Sequence, residues 1–468
     1  MAFNWQLAID FVIILILILG IWQFRTPRGA RYGNLTAAFA LLCAAVVVLH
    51  GHPPLQPAIV VFALLAGGSV GWSVAMRVNM LQIPAMVAFQ HGAGGVAAFL
   101  VSFVELTRDQ GDLALVGQLS GILGIIIGAA TFSGSMVASA KLAGLTRQTP
   151  TILPRHNAIL AAIVAGLVVF GVLAGNTAGL PLLLVSLALI LLSVALGAVF
   201  AVRIGGADMP VLISFLNATA GVAAAFCGII IQNRLLIACG ATVAASGSIL
   251  THVMCQAMNR RLLKVLVAAD LKPAQPAARD AATTASAARE PAARPPLECT
   301  VEGVADARNV IIIPGYGMAL AHAQFEVVKI ANLLQKQGKD VRFAIHPIAG
   351  RMPGHMHVLL AEAEADPDML YDLREINSRF AETDLVLIVG ACDVVNPAAI
   401  NVEGTPISGM PILSAHEAKS VVVCNLDERP GYSGVENPLY DNPKTILMLG
   451  DAKASLGELL QRLENASD

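Results

Sequence analysis

The chain has 468 residues, of which 56% are hydrophobic and only 13% charged, with a mean hydropathy of +0.70. Soluble domains carry roughly a quarter charged residues, so a wholly soluble chain is excluded. A net charge of −2 and the lack of any basic, aromatic-studded stretch exclude a nucleic-acid partner. Seven cysteines, with no Cys-x-x-Cys and no paired spacing, read as small buried hydrophobes in a reducing compartment.

The first apolar run has no basic segment before it, only Asp10 nearby, and reads as a retained span rather than a cleaved signal. Nine runs in all are long enough to cross a hydrocarbon core of about 30 Å. They fall near residues 7–24, 35–50, 56–76, 83–104, 113–139, 158–175, 180–202, 209–231 and 235–257. Gly92, Gly94 and Gly95, like Gly121, Gly124 and Gly128, are spaced to let helix backbones approach closely, which predicts a packed bundle. With the N-terminus outside, the inner segments carry Arg25, Arg28, Arg31, Arg77, Lys141, Arg147, Arg155, Arg203, Arg260, Arg261 and Lys264, and the outer ones only Arg108 and Arg234. That bias places whatever follows the ninth span in the cytoplasm.

Ionisable groups inside spans are costly and are functional candidates by default. His91 sits mid-span in Val-Ala-Phe-Gln-His-Gly-Ala-Gly-Gly, and an imidazole takes and releases a proton near neutral pH. The bland alternative is a packing histidine bonded to a carbonyl. Asp208 follows two glycines at the inner end of a span, where it either couples the path to what lies beyond or caps a helix.

Residues 1–264 thus read as a transmembrane domain, and 265–298, rich in Ala, Pro and Arg, as a flexible tether. Residues 299–468 alternate strand and helix. Strands are expected at Val310–Ile313, Val341–Ile345, Leu385–Val389, Val421–Cys424 and Ile446–Leu449, and helices over 319–337 and 454–464. The pattern predicts a doubly wound, Rossmann-like parallel sheet, with ligands at the carboxyl ends of the strands. Gly315 and Gly317 begin a Gly-x-Gly-x-x-Gly turn whose third position is Leu320, so the fingerprint is incomplete. Paired glycines between strand and helix bring phosphates against backbone N–H groups.

The strand-end loops carry a more specific pattern. It comprises Gly315-Tyr-Gly-Met318, Ala349-Gly-Arg-Met-Pro-Gly-His-Met356, Asp393-x-Val-Asn-Pro-Ala-Ala399, Gly409-Met-Pro411, Gly431-Tyr-x-Gly-Val-x-Asn-Pro438 and Gly450-Asp-Ala-Lys-Ala-Ser455. Gly205-Gly-Ala-Asp-Met-Pro210 and Met254-Cys-Gln-Ala-Met-Asn-Arg260 add to it. Over nearly its whole length the chain resembles the beta subunit of the proton-translocating NAD(P) transhydrogenases.

The resemblance implies NADP(H) on this chain, lined by Gly315, Tyr316, Gly317, Met318, Ala349, Gly350, Arg351, Met352, Pro353, Gly390, Asp393, Val394, Val395, Asn396, Gly409, Met410, Asn425, Asp427, Arg429, Gly431, Tyr432, Asp451 and Ala452. It implies NAD(H) on a partner alpha subunit, a dimeric complex, a bacterial-type inner membrane, and a proton path holding His91 and its polar partner Asn217. Asp393 would sense the state of the nicotinamide or of the membrane domain. Two positions depart from the family. Cys392 replaces an asparagine, and Asn425-Leu-Asp-Glu-Arg-Pro430 stands where a Lys-Arg-Ser run meets the adenosine 2′-phosphate. Arg429 is then expected to supply that charge.

The implied reaction is hydride transfer from NADH to NADP⁺, driven by protons moving inward. A rival of another class is a channel or transporter gated by a nucleotide-sensing domain. It requires a filter or a broken-helix substrate site, and the sequence offers neither.

Overall fold

The computed structural model describes residues 5–465 except 24–26, 52–56, 80–81, 109–113, 147–150, 152, 206–207, 259–261, 263–294, 353, 404, 406 and 432. The chain divides into two compact units, residues 1–205 with 211–251, and residues 206–210 with 252–468.

Among the described residues, nine helices of the first part are long and apolar enough to cross a membrane. They are α1 (Trp5–Gln23), α2 (Pro27–Gly51), α3 (Pro57–Arg77), α4 (Ile83–Thr107), α5 (Leu115–Leu142), α6 (His156–Ala174), α7 (Gly179–Val202), α8 (Met209–Ile230) and α9 (Arg234–Ala257). Each expected run has its helix. The glycines act as spacers. A side chain on Gly95 would meet the Gly128 carbonyl at 2.7 Å, and one on Gly128 the Gly95 carbonyl at 2.9 Å, so α4 and α5 touch backbone to backbone. Gly221 and Gly240 do the same for α8 and α9. Ile122, Ile125, Leu167 and Leu189 fill the space between α5, α6 and α7.

Lys141 is buried in the last turn of α5. Its Nζ donates to the carbonyls of Val202 at 2.5 Å and Ile204 at 2.8 Å. A cation here answers the partial negative charge of the C-terminal end of α7 and satisfies carbonyls that have no helical partner. The sequence counted it only among the positive charges of the inner segments.

The second unit is built on a six-stranded, wholly parallel sheet: β1 (Asn309–Pro314), β2 (Asp340–Ile345), β3 (Leu370–Asp372), β4 (Leu385–Val389), β5 (Ser420–Asn425) and β6 (Thr445–Leu449), in the order β3-β2-β1-β4-β5-β6. Val, Ile and Leu dominate the central strands because both faces are covered. Helices α10 (Pro296–Asp306), α11 (Tyr316–Leu320), α12 (Gln324–Lys336), α13 (His355–Glu362), α14 (Leu373–Ile376), α15 (Ala398–Asn401) and α16 (Ala452–Asn465) flank the strands. One core joins Ile311, Ile313, Val386, Ile388, Val421 and Val423 to Phe380, Leu413 and Tyr440.

Three differences from expectation stand out. β3 is an extra edge strand. The helix expected over 319–337 is two helices, parted at Ala321–Ala323, where His322 takes a left-handed φ of 52°. A helix already covers residues 296–298, assigned above to the tether.

Strand order reverses between β1 and β4, so the connections that follow these two strands diverge and open a crevice at the carboxyl edge. α10 is pinned by Lys339, whose Nζ donates to the carbonyls of Val304, Ala305 and Ala307 at 2.8, 2.8 and 2.6 Å. Lys339→Met is expected to weaken this attachment by about 1–3 kcal/mol, read as faster hydrogen exchange of the α10 amides.

Candidate functional site

The floor of the crevice is backbone. Gly315 N–H donates to the Val389 carbonyl at 2.8 Å, Gly317 N–H to the Gly390 carbonyl at 2.8 Å, and Gly390 N–H to the Cys424 carbonyl at 3.0 Å. A side chain on Gly315 would overlap the Gly390 carbonyl, and one on Gly317 would come within 2.6 Å of the Gly390 Cα. The two N–H groups expected to face phosphate therefore have partners in the β4 turn. The glycines also bring the β1 and β4 turns into contact. The helix behind them has only five residues.

On the β2 side, the loop after Ile345 folds around two imidazoles. His346 Nδ1 accepts from Ile348 N–H at 3.2 Å, and its Nε2 faces the Pro411 carbonyl at 2.8 Å. His355 Nδ1 accepts from Arg351 N–H at 3.1 Å, and Gly350, with φ of 102°, packs flat against that ring. Ala349 N–H donates back to the His346 carbonyl and His355 N–H to the Met352 carbonyl. The Arg351 guanidinium lies 4.5 Å from the Tyr316 ring centroid, a cation–π contact that holds a positive charge at the mouth of the crevice. Pro353 lies outside the described residues.

Burial holds both imidazoles down to about 4, with the Arg351 charge adding to the effect on His355. An unfolded histidine titrates near 6.5. Between these values the unfolded chain binds more protons than the folded one, so stability is full above pH 6.5 and falls as pH drops toward 4. For the buried His346 the loss amounts to about 3 kcal/mol. Urea midpoints of this domain within the full chain, followed from pH 7.5 to 5, are expected to show the decline, with a shallower slope in His346→Gln.

On the β4 side, Asp393 is half-buried. Its carboxylate accepts from Ser433 Oγ at 2.5 Å and Ser433 N–H at 3.0 Å, with Gly431 packed against it. This clasp draws the loop after β5 back over the crevice. Asn396 is fully buried, bonded to the Glu436 carbonyl and Ala398 N–H, so it positions that loop. Val394, Val395, Met318 and Met410 are buried and shape the walls from behind. Gly409, with φ of 72°, donates to the Ala399 carbonyl. Asp451 accepts from Ala454 N–H and so caps α16, whose first residue is the buried Ala452.

Asn425, at the end of β5, donates to the Ala391 carbonyl and to Tyr440 Oη, while its buried Oδ1 has no partner. Cys392 lies beside this group, its thiol pushed up chiefly by burial. Ser433, Asn437 and Tyr440 were not among the expected residues. Ser433 is an unnamed position of the Gly-Tyr-x-Gly-Val-x-Asn-Pro segment, Asn437 is its named asparagine, and Tyr440 lies two residues beyond its end.

In the helical unit, His91 is half-buried on α4, and its Nδ1 is enclosed without a hydrogen-bond partner. Next to it, Gly92 packs on Ser135 and Met136 of α5, and the fully buried Ser135 hydroxyl also lacks a partner. Asn217 lies on α8. Its neighbour Leu216 packs on Gly134 of α5, and Thr219 bonds Thr131 of α5 at 2.9 Å. His91 on α4 and Asn217 on α8 are therefore carried by two helices that pack on the same stretch of α5. Asp208 immediately precedes α8.

The model of one protein family, NAD(P) transhydrogenase beta subunit, matches residues 6–462. The chain belongs to the NAD(P) transhydrogenase beta subunit family. Two relatives from Rhodospirillum rubrum, one assigned to a named strain, are each called NAD(P) transhydrogenase subunit beta. Each is 37% identical over 479 residues, covering 99% of this chain and 100% of the relative.

Membership makes the chain a component of an oxidoreductase, an NAD(P) transhydrogenase. The segment after β5 pairs its own charges. Asp427 accepts from Arg429 N–H at 3.0 Å, and its other oxygen lies 3.2 Å from Arg429 Nε. The cation expected to stand free for a phosphate is paired with its own neighbour. Tyr432 lies outside the described residues.

Proposed function

We propose that this transhydrogenase beta subunit carries NADP(H) on a Rossmann-like domain at residues 299–468 and exchanges hydride with NAD(H) held by an alpha subunit. The exchange is coupled to inward proton movement through residues 1–264, in a dimeric complex of a bacterial-type inner membrane. The α/β domain lies on the cytoplasmic side and the N-terminus outside.

The observation that carries this reading is the pairing, in one chain, of a switch-point crevice with a histidine enclosed among apolar helices. The residues suit a dinucleotide. The crevice floor has no side chains, Arg351 brings a cation to its mouth, and Asn425 Oδ1 is a buried acceptor without a partner at its rim. Gly315, Gly317 and Gly390 would admit the pyrophosphate, Arg351 would offer paired donors to its oxygens, and the Asp393–Ser433 clasp would close over it. The nicotinamides supply the hydride chemistry, and the chain positions them and excludes water.

One dinucleotide fold requires that the second nicotinamide come from another polypeptide. His91 would take and release the proton, Asn217 would orient water beside it, and Asp208 would link the path to the nucleotide unit. A proton crossing the membrane potential releases about 2.3 kcal/mol per 100 mV, enough to draw a near-thermoneutral exchange toward NADPH.

The complex reconstituted with its alpha subunit in vesicles tests this. Internal pH is followed during NADPH-to-NAD-analogue turnover. Turnover with matching pH change is expected. Turnover without it would reduce the helices to an anchor, and solute flux without turnover would make the chain a gated channel.

A further inference from the structure

The sheet is pseudo-symmetric about its central β1–β4 pair, so β2 and β5 occupy equivalent places on either side of the crevice. In such a fold, a ribose of the bound dinucleotide lies near a loop leaving one of these strands. An acidic side chain there binds a free 2′-hydroxyl, whereas an arginine receives a 2′-phosphate. The loop after β2 carries Arg351 and no acid through residue 354. The loop after β5 carries Asp427, Glu428 and Arg429, one positive against two negative charges.

Within that loop the arginine is not a free phosphate receptor. Asp427 binds both its backbone N–H and its Nε, forming a closed ring of contacts between neighbours. A phosphate arriving here would meet the carboxylate beside the guanidinium and would have to break or share the pair. A hydroxyl would not. Each Asp427 oxygen keeps acceptor capacity beyond the bond it already makes, so the pair accommodates a donor without rearrangement. Both ends of the loop are fixed. Asn425 is tied to the Ala391 carbonyl, and Ser433 to Asp393. Residues 426–430 run at the surface beyond the Asn425 anchor, with Asp427 and Arg429 paired there.

We propose that the loop after β5 does not select for the 2′-phosphate, so that this site takes NAD(H) about as readily as NADP(H). The inference rests on the reading of the α/β domain as a pyridine-dinucleotide site, and it assigns the loss of discrimination to the Asp427–Arg429 pair.

The test uses the full-length chain in detergent, without an alpha subunit, titrated calorimetrically with NADPH and with NADH. The two dissociation constants are expected to agree within about tenfold. On the same wild-type protein, 2′,5′-ADP and 5′-ADP are expected to compete equally well. In Asp427→Ser the arginine is released, and the ratio is expected to move toward NADPH by about tenfold or more.

A preference for NADPH of about a hundredfold in the wild type, or for 2′,5′-ADP over 5′-ADP to the same degree, would overturn the inference while leaving the dinucleotide site standing. An unchanged ratio in Asp427→Ser would also overturn it. Binding of neither nucleotide would remove the dinucleotide reading itself. The fragment competition needs no variant, so a poorly folding Asp427→Ser protein does not shelter the idea.

Discussion

Replacing His91 by alanine is expected to reduce proton movement per hydride transferred by about two orders of magnitude or more, the range set by removing a positioned proton donor and acceptor. The Nδ1 atom is enclosed and has no partner, and the neighbouring Ser135 hydroxyl is in the same condition. A polar atom in hydrocarbon normally finds a partner, because leaving it bare costs several kcal/mol. These two atoms lie on α4 and α5 beside the Gly92 contact, and the proton role of His91 would use both. Gly92 and Gly95 hold α4 hard against α5, so truncating the imidazole leaves the helix contact itself intact. His91→Asn is the discriminating companion. It keeps a polar side chain that can bond a carbonyl or a water, but it does not titrate near neutral pH. A packing role predicts that asparagine restores pumping; a proton role predicts that it does not. The measurement is internal pH against turnover in vesicles, with nucleotide binding to each variant as the control. Full pumping in His91→Ala would end the proton assignment.

The sequence exposed the helices clearly and the site only in part, for physical reasons. Runs such as 180–202 have almost no alternative in water, so α7 was legible from hydropathy alone. The central strands were equally plain, because strands covered on both faces read as unbroken Val, Ile and Leu. β3 was not. It is three residues long, lies at the sheet edge and includes Tyr371 and Asp372, so no apolar run announces it. The break at Ala321–Ala323 was hidden because alanine and histidine do not forbid helix; a left-handed residue at His322 sets it.

Within the site, residue types were legible but their partners were not. Gly315 and Gly317 read as glycines that admit a phosphate, and their second use, admitting the Gly390 backbone, did not show because the two uses look alike in a sequence. Arg429 was expected to act as a free cation, and Asp427 captures it. Lys141 was counted only as one more positive charge of an inner segment, because nothing local shows that the α7 carbonyls converge on it. Such pairings are decided by the fold, which places β1 beside β4 and α5 beside α7, and not by neighbours along the chain.

The contact between the β1 and β4 turns carries the second large effect. Gly390→Ala is expected to destabilise the α/β domain by about 3 kcal/mol or more and to abolish dinucleotide binding. Two costs coincide. Gly390 has φ of 67°, a region that costs an L-residue about 1–2 kcal/mol. Its added Cβ would also overlap the Met318 nitrogen and the Gly317 Cα and carbonyl carbon, backbone atoms that cannot rotate away. Relief requires the β1 turn to retreat, which breaks the Gly317–Gly390 hydrogen bond and moves the crevice floor. Gly338→Ala separates the two costs. That glycine has φ of 81° and nothing within 4 Å of the added atom, so only the conformational cost applies. It is expected to lower stability by about 1 kcal/mol and leave nucleotide affinity unchanged. Urea unfolding of the domain and titration with NADPH, made on both variants in the full chain, give the comparison. Equal losses in the two would mean that backbone strain alone governs Gly390 and that the close approach of the two turns has no part in building the site.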